Sequence, residues 1–169
     1  MINIVCLKWG SKYGPEYVNR LYASVKRNTT LAFTFHCFTD DSTGFNSEIN
    51  SYPLKYNLTG WWHKLYFFSA EFPLTGRIVY MDLDTLITGN IDDILGYNEG
   101  FVVLRDFYTG IWPTIQGNDN VGSGLMSFEA HKHVDLWRDF ILEAPTISFN
   151  LQKQGDQAWI QQKQINRVY

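Results

Sequence analysis

Arg77-Ile78-Val79-Tyr80-Met81-Asp82-Leu83-Asp84-Thr85 is an apolar run that stops at two carboxylates. Thr75-Gly76 stands before it and charge follows it, which suits an interior strand of an α/β sheet covered by helices on both faces. Residues i and i+2 of a strand point the same way, so Asp82 and Asp84 are expected to converge beyond its carboxyl end, where open α/β sheets bind ligands. Two close carboxylates repel unless a cation or a shared proton lies between them, and hard oxygen donors of this kind suit Mg²⁺ or Mn²⁺. An Asp-x-Asp pair also serves loop starts and helix caps. The apolar run in front of this one favours the ligand-site reading.

Working outward, 169 residues with 45% hydrophobic and 17% aromatic content suffice for one domain, residues 1–169, with a sizeable core. A net charge of -3 argues against a binder of nucleic acid, which needs a basic face. No apolar run approaches the length of a membrane span. The stretch from Met1 to Leu7 alternates like a first strand and is too short for a signal h-region before Lys8, so a cytoplasmic location is expected. Cys6 and Cys37 fall inside expected strands and read as reduced core residues rather than as a disulfide framework.

The pattern predicts a strand over 2–8, a loop through Tyr13, and a helix opened by Pro15, with Val18, Leu21, Tyr22 and Val25 on its buried stripe. A second strand over 31–38 completes a β-α-β unit whose strand tips face one edge. Residues 42–59 read as mostly loop, with one short strand near Tyr52, and 60–68 as an aromatic helix. Within that helix Lys64 either snorkels to solvent or meets a buried anion. Residues 85–88 are expected to continue as a short strand, and 90–96 as a short helix capped by Asn90 or Asp92. A strand over 101–104, a long loop over 107–121, a strand over 123–128, a helix over 131–143, a helix opening at Gly155 and a closing strand over 164–169 follow.

This order of pieces resembles the glycogenin-like family of retaining nucleotide-sugar glycosyltransferases. The matching residues are the first strand and loop with Tyr13, Ser24-Val25-Lys26, Lys64-Leu65, Val79 to Leu86 through Asn90-Ile91-Asp92, Gly122-Ser123-Gly124 and Gly155-Asp156-Gln157. The resemblance implies a single GT-A-type domain, with a Rossmann-like, mostly parallel sheet and helices on both faces. It also implies a UDP-sugar donor, an acceptor that is a glycan, lipid or protein, and Mn²⁺ or Mg²⁺ on Asp82 and Asp84. By the same resemblance Lys64 contacts the diphosphate or the sugar, Tyr13 lies on the base, and Asp40 bonds uracil or ribose. Gly122, Ser123 and Gly124 line the donor sugar, and Asp156 and Gln157 face its hydroxyls and the reacting carbon. Two departures stand out. Gly122 replaces the family's common Asn, and the family's C-terminal His, a third metal ligand followed by a Lys, has no counterpart before Tyr169. A domain completed by a partner chain, or a non-catalytic nucleotide-sugar binder, is therefore a second reading. A third is a haloacid-dehalogenase-like phosphatase with Asp82 as nucleophile, against which stand the mid-chain position of the motif and the missing glycine of Asp-x-Asp-Gly-Thr.

Overall fold

The computed structural model describes residues 1–105, 121–144 and 149–164. Strands β1 (Ile2–Lys8), β2 (Phe33–Thr39), β3 (Ile49–Pro53), β4 (Arg77–Met81), β5 (Val102–Arg105) and β6 (Val121–Glu129) form one sheet in the order β3-β2-β1-β4-β6-β5. The first four are mutually parallel, and β6 runs antiparallel to both β4 and β5. The architecture is therefore mixed α/β with a mostly parallel sheet, as expected.

Each central strand divides its side chains between two cores. On β4, Ile78 and Tyr80 enter one core and Val79 and Met81 the other, while on β1 Val5 faces the first and Ile4 and Cys6 the second. Alternating faces that are both buried explain why these strands read as unbroken apolar runs. Helix α1 (Pro15–Asn28) covers one face through Val18, Leu21, Tyr22 and Val25, and the short α2 (Asp92–Gly96) adds Leu95 beside it. A 3-10 helix (Gly60–Phe68), α3 (Val134–Glu143) and α4 (Phe149–Gln164) cover the other face. There Phe38 is the hub, with its ring 4.9 Å from that of Tyr52, 5.2 Å from Phe67 and 5.3 Å from Phe72.

Several local expectations are corrected. The aromatic segment 60–68 winds as a 3-10 helix, and its consecutive residues His63 to Phe68 are all buried. Residues 85–88 form no strand; the chain leaves β4 through a turn closed by the Thr85 N–H donating to the Asp82 carbonyl, 3.1 Å. Neither Asn90 nor Asp92 caps α2, whose N-cap is Ile91. The Asp92 carboxylate instead accepts from Thr29 and Thr30, tying α2 to the end of α1. The third helix begins at Val134, since His131 takes a positive φ of 65°. Of the loop expected over 107–121 and the closing strand expected over 164–169, Val121 opens β6 and Gln164 ends α4, and residues 107–120 and 165–169 lie outside the described residues. No helix among those described is long and apolar enough to cross a membrane.

Candidate functional site

The site assembles where the parallel strands end. The strand parity that sends Tyr80 into the α3/α4 side carries on to Asp82, and the Tyr80 hydroxyl donates to Asp82 Oδ1 at 2.5 Å. The Asp82 N–H extends the ladder to the Gly124 carbonyl at 2.8 Å, which fixes the carboxylate against β6. A Cβ on Gly124 would stand 3.3 Å from Asp82 Oδ2, so the strand leaves that oxygen just enough room. Asp84 is exposed and accepts from the Tyr13 hydroxyl at 3.0 Å. The two carboxylates are thus presented by a turn, not by consecutive same-side positions of a strand. Lys12, fully exposed, is held above its ordinary pKa first by Tyr13, with smaller contributions from the charges of Asp84 and Asp82.

Lys64 is the charged centre of the site. Only 6% exposed, its ammonium lies 3.0 Å from Asp82 Oδ1, 3.4 Å from Asp156 Oδ2 and 5.2 Å from the centroid of the Tyr80 ring. Burial pushes the Lys64 ammonium down, and the charges of Asp156 and Asp82 more than reverse this, so it stays protonated. Asp156, 3% exposed, is pushed up by burial, with Lys64 and Ser123 working against that push. Asp156 Oδ2 is held to Lys64 by charge at 3.4 Å and is met by no well-formed hydrogen bond. That oxygen is therefore a buried acceptor without a donor among the described residues.

The remaining expected residues fall around this pair. Ser123, buried on β6 between Gly122 and Gly124, lies 3.5 Å from the Lys64 ammonium, and its N–H donates to Gln157 Oε1 at 3.5 Å. Asp156 and Gln157 follow a kink in α4 at Gly155, whose φ of 71° favours glycine. A Cβ there would stand 2.5 Å from Trp61 Nε1, so glycine is required twice over. Tyr13 packs against Tyr17 with ring centroids 4.7 Å apart. Asp40 accepts from the Gly10 N–H at 2.8 Å and faces Lys8 at 3.9 Å, so it secures the loop after β1 as well as lying at the tip of β2.

Sequence reading missed Tyr80, Lys12 and Trp61. The spacing of Tyr80 from Asp82 was the available signal, because i and i−2 share a face. For Lys12 only adjacency to Tyr13 pointed to the site, and nothing in the sequence joined Trp61 to Gly155.

Asp82 and Asp84 fit a hard divalent cation as part of its shell. They are oxygen donors two positions apart in one turn, and Asp82 already draws an ammonium to 3.0 Å. Among the described residues, no three His, Cys, Asp or Glu side chains gather to hold a metal.

No known family profile matches the sequence, and no curated protein matches it. The fold is nevertheless shared with solved glycosyltransferases of the GT-A type. The apo form of the glycosyltransferase GlyE of Streptococcus pneumoniae TIGR4 superposes with a TM-score of 0.69 at 11% identity, covering 98% of this chain and 44% of that one. The galactosyltransferase LgtC, solved with donor and acceptor sugar analogues, gives 0.56 at 14% identity over 99% of this chain and 66% of LgtC. The bifunctional glycosyltransferase WbbM gives 0.64 at 10% identity, covering 95% of this chain and 36% of WbbM. The chain thus spans less than half the length of GlyE and of WbbM.

Proposed function

We propose that the chain is the donor-binding domain of a metal-dependent glycosyltransferase, moving a sugar from a UDP-sugar to an acceptor. The observation that carries this reading is the trio Asp82–Lys64–Asp156 at the carboxyl edge of β4 in a GT-A-type sheet, with Lys64 and Asp156 buried and Asp82 half-exposed. It sets a protonated amine beside two carboxylates, one of which keeps an acceptor oxygen without a donor.

In this reading Asp82 and Asp84 hold Mn²⁺ or Mg²⁺, which when bound neutralises the charge that builds on the departing diphosphate. Lys64 binds the same diphosphate or the donor sugar as a fixed cation, and Tyr80 and Gly124 hold Asp82 in place for it. Tyr13 lies along the base, and Asp40 bonds the base or ribose. The backbone of Gly122, Ser123 and Gly124 lines the donor sugar. Asp156 Oδ2 takes a hydrogen bond from a sugar hydroxyl, which adds a donor to an oxygen that the protein meets only with the Lys64 charge. Gln157, tied to Ser123, sets the position of Asp156 over the sugar.

The test is a screen of UDP-, GDP- and CMP-sugars with and without Mn²⁺, read by thermal shift and by release of the nucleotide. A UDP-sugar is expected to stabilise the protein only with metal and to be slowly hydrolysed. Stabilisation by none of them overturns the reading. A beryllium fluoride adduct at Asp82 would move it to the aspartyl-phosphate chemistry of a phosphatase.

A further inference from the structure

A groove of about 640 Å³ is lined by Trp9, Asn57, Thr59, Trp61, Trp62 and Phe140, and its Trp61 packs on Gly155 in α4. We infer that this groove binds the acceptor, and that the acceptor is a carbohydrate whose pyranose ring lies flat on the indoles of Trp61 and Trp9. The inference rests on the glycosyltransferase reading and adds to it the chemical class of the acceptor.

Three features of the groove select that occupant. First, no charged side chain is among the described residues that line it, and their neutral, aromatic character suits an uncharged ligand better than a phosphate, an acidic peptide or a nucleotide. Second, Trp61 and Trp9 are 48% and 43% exposed, large aromatic faces that a protein rarely leaves in water unless something covers them. Trp62 differs, since its ring stacks on Phe140 at 5.3 Å and forms the floor. An aromatic face carries negative charge and attracts the weakly positive C–H groups on the apolar side of a pyranose. Third, Asn57 and Thr59 set an amide and a hydroxyl among these rings. A hydrocarbon chain would leave them unpaired, whereas the hydroxyl edge of a sugar satisfies them.

Position makes this occupant the acceptor. Trp61 packs directly over Gly155, the residue before Asp156. Trp9 directly follows β1, at the same carboxyl edge as Asp82, and its ring lies 6.1 Å from that of His63, the neighbour of Lys64. The groove thus reaches, through Trp61, the residue that precedes Asp156.

The experiment is ligand-observed saturation-transfer NMR on the intact chain. The probes are methyl β-galactopyranoside, methyl α-glucopyranoside, lactose, cellobiose and, as an apolar comparison, octanol. UDP binding with Mn²⁺ is measured in parallel. At least one pyranoside is expected to bind the wild type, and about 3- to 10-fold more weakly to Trp61→Ala and to Trp9→Ala, the loss of one stacking face each. Thr59→Val, which keeps both indoles, is expected to weaken the same sugar by a smaller factor. If UDP binds but no pyranoside does, or if the sugar response survives in both tryptophan variants, the groove assignment is overturned and the donor reading stands. Saturation by octanol without any sugar overturns it in favour of a lipid acceptor. Failure of UDP to bind the wild type overturns the transferase reading, and the acceptor assignment with it.

Discussion

Replacing Lys64 by Met keeps the length and volume of a buried stem and removes only the ammonium. Its two ionic partners then lose their cation unequally. Asp82 has a side chain 34% exposed and regains water, so its share is small. Asp156 is 3% exposed and is left as a buried carboxylate facing another. Breaking a buried pair by removing one partner costs about 3–5 kcal/mol, and the partial exposure of Asp82 sets the expectation at the lower end, about 3 kcal/mol. The sign with pH follows from the direction of the Asp156 shift. Burial first, and the charge of Asp82 with it, raise its folded-state pKa above the unfolded value. The folded variant therefore holds this proton more tightly than the unfolded chain, and its deficit shrinks as pH falls through the folded pKa. Urea unfolding of Lys64→Met and wild type at about pH 7.5 and about pH 5 measures this, each pair compared at the same pH. Lys64→Met/Asp156→Asn is expected to recover most of the loss. A deficit under about 1 kcal/mol at the higher pH, or one that grows on acidification, would refute the buried-pair account.

Three further outcomes are expected. Gly155→Ala combines a positive φ with a Cβ 2.5 Å from Trp61 Nε1, and should cost more than about 2 kcal/mol by thermal or urea unfolding; a change near zero would show that the kink at Gly155 is not as described. His36 is 5% exposed, its Nε2 lies 2.9 Å from Thr34 Oγ1, its Nδ1 has no partner among the described residues, and burial lowers its pKa to about 4. Its contribution is complete above the unfolded pKa of about 6.5 and is lost as pH falls towards about 4. The full shift would correspond to about 3 kcal/mol, and roughly half of that remains after screening by nearby water; an unchanged acid limb in His36→Leu would contradict this. Cys6 and Cys37 are free, buried and paired in register across β1 and β2, and burial raises the Cys6 thiol, so thiol reagents should label the native protein only as fast as it unfolds.

The strands were legible because both faces of this sheet are covered, which leaves each central strand as an uninterrupted apolar run such as Ile78 to Met81. Helix α1 was legible from its single buried stripe. What the sequence hid is where local hydrogen bonding overrides pattern. Gly60–Phe68 has the composition of a helix but tightens to 3-10, and residues 85–88 have the β-branched character of a strand but pair with no strand among the described residues. The same division runs through the site. Asp82 and Asp84 stand out because charge interrupts an apolar run, and Lys64 because it interrupts an aromatic one. The contacts between Lys64 and Asp156, 92 positions apart by number (156 minus 64), and between Trp61 and Gly155, are made only by the packing of α4 against the 3-10 helix.

The central claim is that the two carboxylates after β4 form a nucleotide-dependent metal site. Calorimetric titration of UDP into wild type and Asp84→Asn, with and without Mn²⁺, tests it most directly, because Asp84 is exposed and its replacement leaves the core untouched. UDP is expected to bind wild type only when Mn²⁺ is present, and at least about 10-fold more weakly to the variant, since two carboxylates and water make a poor site until phosphate oxygens complete the shell. UDP binding that is indifferent to Mn²⁺ and to Asp84→Asn would contradict the account.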